Sequence, residues 1–187
     1  ENRAHVAACS AGREVLNAYA YTGGFGVAAL VSGAARVIHV DTSAATLDLA
    51  RRNAELNGLE SARVEYVEAD VPILFRKYRD AGRQFDGIVL DPPKFAASRS
   101  QVASGVRGYK DINLFAFKLL RPGGLLFTFS CSAHVDADLF QQVVAGAALD
   151  SGRTVRILRR LGQAPDHPTA INVPESAYLK GLVCHVE

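Results

Sequence analysis

The chain has 187 residues, 49% of them apolar, and a formal net charge of +2. That composition suits one globular domain with one good core and excludes a disordered tail, while so small a charge does not by itself identify a nucleic-acid partner. No apolar run approaches the roughly 20 residues needed to span a bilayer, and no signal peptide is visible at Glu1.

Residues 1–11 read as the end of a helix. Residues 14–19 predict the first strand, and residues 25–32 a helix ending near Gly33. The second strand follows at 36–40, closed by Asp41. Ser43 is a good N-cap for a helix through Asn57, and Gly58 is a good stop after it. Leu47, Ala50, Ala54 and Asn57 fall on one face of that helix. Residues 63–68 predict strand three. Asp70 caps a helix over 71–81, with Pro72 tolerated in the first turn. Residues 85–90 form a nearly all-apolar fourth strand, which places it in the centre of a sheet. A long loop is expected over 92–108, then a helix over 110–120, stopped by Pro122-Gly123-Gly124. Strand five follows at 125–131. A helix over 135–152 has Leu139, Val143, Ala147 and Leu149 on its apolar face. Strands at 155–161 and 178–186 close the chain, joined by a proline-containing loop.

Strands alternating with helices, with a strand pair at the end, imply an α/β fold: a mostly parallel seven-stranded sheet covered by helices on both faces, with an antiparallel last strand. No repeat, linker or low-complexity segment divides the chain, so residues 1–187 read as a single domain. Cys9, Cys131 and Cys184 lie far apart, with no C-x-x-C and no zinc cluster, so no metal is expected. An odd count of cysteines without a signal peptide fits a reduced, cytoplasmic protein. Sixteen of the 21 basic residues are arginine, which suits phosphate and planar groups better than lysine does; a GC-rich genome would produce the same bias. The chain contains no methionine, even at its start, and a piece of a longer protein is the expectation.

Two segments carry the chemistry. Val15-Leu-Asn-Ala-Tyr-Ala-Tyr-Thr-Gly-Gly-Phe-Gly26 runs from a strand through a glycine turn into a helix. Such a turn brings backbone close to a cofactor and points helix N–H groups at it. Asp91-Pro-Pro-Lys94 puts an acid and a rigid diproline at the end of strand four. In an open α/β sheet both strand ends face one crevice. Gly24-Phe-Gly26-Val-Ala-Ala29 satisfies the dinucleotide pattern G-x-G-x-x-G/A, and Asp41 ends the next strand where an acid can hold ribose hydroxyls. On this segment alone, a nicotinamide enzyme, an S-adenosylmethionine enzyme and a plain tight turn remain open. Asp70, placed for an adenine edge, and the Asp91-Pro-Pro-Lys94 turn, which has no role in dinucleotide binding, favour the second. So does Pro-Gly-Gly before strand five with a strand pair after it.

Taken together, the chain resembles the Rossmann-like class I methyltransferases over nearly its whole length. Tyr21-Thr-Gly-Gly-Phe25, Val40-Asp-Thr-Ser43, Asp91-Pro-Pro-Lys-Phe95, Arg107-Gly-Tyr-Lys-Asp-Ile-Asn113, Phe129-Ser-Cys-Ser132 and Asp166-His-Pro168 are similar to segments of the bacterial large-subunit ribosomal RNA cytosine-C5 methyltransferases. The resemblance implies S-adenosylmethionine as cofactor, held by Tyr21, Thr22, Gly23, Gly24, Phe25, Asp41, Thr42, Asp70 and Asp91. It implies ribosomal RNA as partner and an upstream RNA-binding PUA domain, with a homodimer as a candidate assembly of the full-length protein; no membrane partner is expected.

Cytosine C5 is a poor nucleophile, and the general solution is a thiolate that adds to C6 first. Cys131, at the end of strand five, has the right address, and Cys9 and Cys184 do not. A cysteine in a small core niche would read the same. Another group of RNA cytosine methyltransferases carries a cysteine directly after its Asp-Pro-Pro turn; here that position is Lys94, so the nucleophile must come from strand five. Asp91 is the candidate to accept from the cytosine amino group or to take the C5 proton; it would serve equally as a turn cap. Pro92 and Pro93 are expected to form a ledge for the base. Lys94, Arg99, Arg107 and Lys110, interleaved with Phe95 and Tyr109, have the composition of a single-stranded nucleic-acid grip, on a loop expected to order on binding RNA; an ordinary solvated loop would read the same. His167 is given no role. The rival readings are an N-methyltransferase, which needs no cysteine, a nicotinamide-dependent oxidoreductase, and a non-catalytic RNA-binding module.

Overall fold

The structure is a computed structural model that describes residues 1–165 and 167–187. Asp166, part of one resemblance motif, lies outside the described residues. The elements are α1 (Asn2–Ala8), β1 (Glu14–Ala18), α2 (Gly24–Val31), β2 (Arg36–Asp41), α3 (Ala44–Leu56), β3 (Val64–Glu68), α4 (Val71–Asp80), β4 (Phe85–Leu90), α5 (Val102–Leu119), β5 (Leu120–Ser130), α6 (Ala137–Ser151), β6 (Val155–Leu161) and β7 (Lys180–Val186).

The seven strands form one sheet in the order β3-β2-β1-β4-β5-β7-β6. All pairs are parallel except those of β7, which runs antiparallel to both β5 and β6. This is the expected architecture, with β4 in the middle. Side chains alternate between two cores, as the two-residue period of a strand requires. Leu16, Ile38, Ile88, Leu126 and Cys184 face the core shared with α4, α5 and α6. Val15, Val37, Val89, Phe127 and Val183 face the one shared with α1 and α2. The chain winds outward in opposite directions from β1 and β4, which lie side by side. That is the switch point at which a crevice opens beyond the carboxyl ends of the strands.

The helix caps follow the sequence. Ser43, Asp70 and Asp136 each accept a hydrogen bond from the amide three residues on, and Gly152 closes α6 in the left-handed conformation. Three expectations are corrected. The helix after the Asp91 turn begins at Val102, not at residue 110, because Gly105 and Gly108 seat its first turns against Phe95 and Ala96. A Cβ on Gly105 would lie 2.9 Å from the Cβ of Ala96 and from the carbonyl oxygen of Phe95. Pro122-Gly123-Gly124 lies within β5 as a register shift opposite Phe85–Gly87, not ahead of the strand. Leu149 is 80% exposed; Phe140 and Val144 take the buried face of α6 with Val143 and Ala147.

Much of the arginine is structural. Arg83 and Arg121 both bind Glu14, Arg121 also binds Asp86, Arg36 binds Glu65, and Arg76 binds Asp111. Among the described residues no helix is long and apolar enough to cross a membrane, and no group of His, Cys, Asp or Glu could hold a metal ion.

Candidate active site

One wall of the crevice is the turn between β1 and α2. Tyr19 (φ 59°) and Tyr21 (φ 47°) both lie in the left-handed region, which a bulky side chain adopts only when its surroundings insist. Those surroundings are visible. The two Asp41 carboxylate oxygens accept from Tyr21 N at 2.9 Å and from Ser43 N at 3.1 Å. Asn53 Nδ2 donates to Thr22 O at 2.9 Å, and Gly23 N donates to Ala20 O at 2.8 Å. Gly23 is left-handed (φ 79°), and a Cβ there would lie 2.9 Å from the Ala50 Cβ; a Cβ on Gly26 would fall 2.3 Å from His39 Cε1. The turn therefore lies flat on β2 and α3. Gly23 caps α2 without any side-chain acceptor, so the first amides of the helix are free to meet a ligand.

Beneath the turn, Asn17 Nδ2 and His39 Nδ1 are 3.1 Å apart in a fully buried pair. The His39 ring stacks on Tyr66, centroids 5.3 Å apart. Burial holds the His39 pKa down at about 4, against an ordinary 6.5. The folded protein therefore resists taking a proton that the unfolded chain accepts. The stabilisation is complete above pH 6.5 and is lost as the pH falls from 6.5 towards 4. Its size is about 3 kcal/mol. Denaturant unfolding between pH 7 and 4 should show a steeper loss for the native protein than for His39→Gln; parallel curves would refute the assignment.

The opposite wall joins the ends of β4 and β5. Asp91 is open to solvent at the floor of the cleft, yet enough protein surrounds it that desolvation raises its carboxyl above the ordinary range. Pro92 is buried and Pro93 exposed. Half-buried Cys131 lies with Sγ 4.0 Å from Pro92 O. Burial pushes its thiol up, the Asp91 charge adds to that push, and Lys94 and Lys180 pull the other way. Removing the Asp91 charge should thus make the thiol more acidic. In Asp91→Asn, iodoacetamide should alkylate Cys131 several-fold faster at neutral pH, with the rate profile shifted to lower pH. An unshifted profile would separate the two groups electrostatically.

Ser132 ties this wall together. Its hydroxyl accepts from Ala96 N at 3.1 Å and pairs with Tyr109 Oη at 2.9 Å, and its carbonyl accepts from Lys180 Nζ at 2.5 Å. Lys180 also donates to Tyr178 O at 2.9 Å, and burial lowers its pKa.

The structure thus brings Tyr21, Thr22, Gly23, Gly24, Phe25 and Asp41 together on one wall, and Asp91, Pro92 and Cys131 on the other. Thr42 is exposed beside Asp41, and Asp70 is exposed beyond β3, capping α4 through Ile73 N at 3.0 Å. Lys94 and Arg107 are exposed. Two expected substrate contacts are corrected. Tyr109 is fully buried between Phe95 and Phe140, so its ring cannot stack on a base. Lys110 is turned to α6, where Nζ is 2.7 Å from Asp150. The loop from Asp91 to α5 is correspondingly shorter than expected and is anchored by buried Ala96. Sequence reasoning missed Asn17, His39, Asn53, Ser132 and Lys180. The polar Asn17 and His39 within apolar strands were the one visible signal.

Between the walls and α1 lies a cleft of about 420 Å³ lined by Arg3, Phe25, Asp91, His167 and Tyr178, among others. A turn with open helix amides, a carboxylate at the end of β2 and a cleft running on to Asp91 fit an adenosyl amino acid: the acid for the ribose, the turn for the polar tail, and the far wall for the reacting group.

Comparisons agree. A sequence model of the family described as S-adenosylmethionine-dependent methyltransferase matches residues 2–185. The chain is 55% identical over 183 residues to ribosomal RNA large subunit methyltransferase I of Aeromonas hydrophila, covering 98% of this chain and 46% of that protein. It is 54% identical over 186 residues to the same-named protein of Shewanella denitrificans, covering 100% of this chain and 47% of that one. The chain therefore spans about half the length of the curated relatives it matches. A crystal structure of SMU.776, described as a methyltransferase complexed with SAH, superposes with a TM-score of 0.87 at 26% identity, over 98% of this chain and 48% of that one. TrmN from Thermus thermophilus superposes with a TM-score of 0.68 at 20% identity, over 99% of this chain and 47% of that one, a likeness of fold alone. With its glycine turn, an acid at the end of β2 and a family model that matches residues 2–185, this chain belongs to the S-adenosylmethionine-dependent methyltransferase family.

Proposed function

We propose that this domain methylates carbon 5 of a cytosine in large-subunit ribosomal RNA, with Cys131 as nucleophile. The observation that carries the reading is the thiol at the end of β5, 4.0 Å from the Pro92 carbonyl and within the field of Asp91. The relatives' name supplies the RNA; the chemistry of a thiol in this position supplies the base and the atom.

The cofactor contributes an electrophilic methyl group on sulfur. The chain does the rest. Cys131, as thiolate, adds to C6 and loads electron density onto C5 for attack on the methyl. A base then removes the C5 proton and the thiolate leaves. Burial and Asp91 oppose the thiolate, so the site relies on Lys94 and Lys180, and on substrate satisfying Asp91 through the cytosine amino group. Pro92 and Pro93 stiffen the ledge. The target must be unpaired or flipped, because attack at C6 and transfer at C5 need the ring faces free. Ribosomal RNA as partner, an upstream RNA-binding part and a cytoplasmic location belong to the same reading.

Arg99, in the turn before α5, and Arg107, on α5, are exposed. If each meets one phosphate of a single strand, Arg99→Glu with Arg107→Glu should weaken RNA binding and reduce the slope of log affinity against log salt by about 1.4. An identical slope in titrations of the double variant would remove this surface from the interface. The reading as a whole is tested by methyl transfer from the full-length protein to unmodified large-subunit RNA, with the modified atom mapped. Transfer to carbon 5 of a cytosine is expected; transfer to a ring or amino nitrogen would overturn it in favour of an N-methyltransferase.

A further inference from the structure

The strand order separates the two partners of a methyl transfer. In the run β2-β1-β4-β5-β7, the glycine turn and Asp41 close the β1–β2 side, and Asp91 and Cys131 end the two strands that follow. The methyl acceptor then belongs towards β7. That strand runs antiparallel to β5, with Lys180 opposite Ser130. The segment joining β6 to β7 therefore crosses the sheet at the end where β4 and β5 stop. It brings Tyr178 to the cleft, which Tyr178 lines together with Phe25 and Asp91. The Tyr178 ring is 39% exposed, and among the described residues it stacks on no other ring. Its backbone is nevertheless fixed on both sides. Gln163 Oε1 accepts from Tyr178 N at 2.8 Å and from Leu179 N at 3.4 Å. Tyr178 O accepts from Lys180 Nζ at 2.9 Å, and the same ammonium donates to Ser132 O at 2.5 Å, one residue beyond Cys131. The ring and the thiol thus share one hydrogen-bonded mount.

We propose that Tyr178 is the platform on which the acceptor base stacks in the cleft. The proposal rests on the reading that the acceptor is an RNA base, and it holds whichever atom of that base is methylated. A base drawn out of its own stack gives up contacts on its faces, and an aromatic side chain restores one of them. Asp91 can meet the edge of a base but offers no face. Of the phenyl and phenol rings that line the cleft, Phe25 is already stacked on Phe129, centroids 5.5 Å apart, which leaves Tyr178. Tyrosine supplies a large, flat contact at a small cost in conformational freedom. Here the backbone bonds to Gln163 and Lys180 lower that cost further, and they hold the platform in register with the end of β5.

Methyl transfer by the full-length protein to unmodified large-subunit RNA, with calorimetry of S-adenosylhomocysteine alongside, tests it. Tyr178→Leu, which keeps apolar bulk and gives up the ring, should lower kcat/KM for the RNA by about tenfold or more, the scale of one base–aromatic stack. Its affinity for S-adenosylhomocysteine should change by less than about twofold. Tyr178→Phe keeps the ring and should recover most of what Tyr178→Leu loses. A kcat/KM of Tyr178→Leu within twofold of native would overturn the proposal. Equal losses in the two variants would also overturn it, because the hydroxyl and not the ring face would then be in use. A matching loss of S-adenosylhomocysteine affinity would place Tyr178 on the cofactor's wall and overturn it too. Transfer by the native protein to a nitrogen would sink the carbon-5 reading and leave this comparison intact; a native protein inert on the RNA would sink both.

Discussion

Cys131→Ala should bind S-adenosylhomocysteine as the native protein does and should methylate nothing. The sulfur acts on the base and not on the cofactor, so affinity for the cofactor survives. Removing the nucleophile removes the covalent route, and the rate should fall by at least about 10³-fold. The same variant should fail to form the covalent complex with RNA carrying 5-fluorocytosine, whose fluorine cannot leave as a proton does. Cys9→Ala should keep both activities, because Cys9 stands at the end of α1. Cys184→Ala should keep both with some loss of stability, since Cys184 is fully buried in β7. Gel-shift trapping and tritium transfer, run on all three, decide the matter. Near-native transfer by Cys131→Ala would end the covalent reading.

Gly26→Ala should cost stability and cofactor binding together. The added methyl would sit 2.3 Å from His39 Cε1, 2.7 Å from Nε2 and 2.8 Å from Val37 Cγ1. His39 cannot swing away, because it is buried, stacked on Tyr66 and bonded to Asn17. α2 must therefore lift, at about 1–3 kcal/mol for overpacking of this kind. The lift carries the turn with it, and affinity for S-adenosylhomocysteine should fall at least about tenfold. A second substitution, His39→Ser, should restore part of both losses, as coupled neighbours do. Additive losses measured by denaturation and calorimetry would place the strain elsewhere.

The fold was legible because its signals are local and redundant. Apolar runs of strand length, Ser43, Asp70 and Gly58 at helix ends, and the final strand pair each mark one element independently. The glycine turn, Asp41 and Asp91 were legible for a similar reason: each ends a strand, and strand ends converge in this topology. Tyr109 was misread because composition carries no orientation. An aromatic among cations suggested a base-stacking surface, but the helix starts at Val102 and turns that ring inward. Lys110 failed in the same way, its partner Asp150 being 40 residues distant in sequence. Ser132, Asn53, Lys180 and the Asn17–His39 pair escaped because their meaning lies in long-range contacts. A serine two residues beyond a strand and a lysine at the start of another have no local pattern that joins them.

The threefold engagement of Ser132 has a consequence for transplanting this chemistry. The Asp91 turn looks like a portable cassette of four residues. It is held in place, however, by a hydroxyl from the next strand end, a phenol from the intervening helix and, through the same serine's carbonyl, an ammonium from the antiparallel strand. An exchange of that turn between distant methyltransferases would move the acid and leave its mounting behind. The acid and the thiol would then lose their fixed spacing while each remained chemically intact. A working graft has to carry Gly105, Tyr109, Ser132 and Lys180 along with the turn, so the transferable unit is a three-dimensional corner of the domain and not a stretch of sequence.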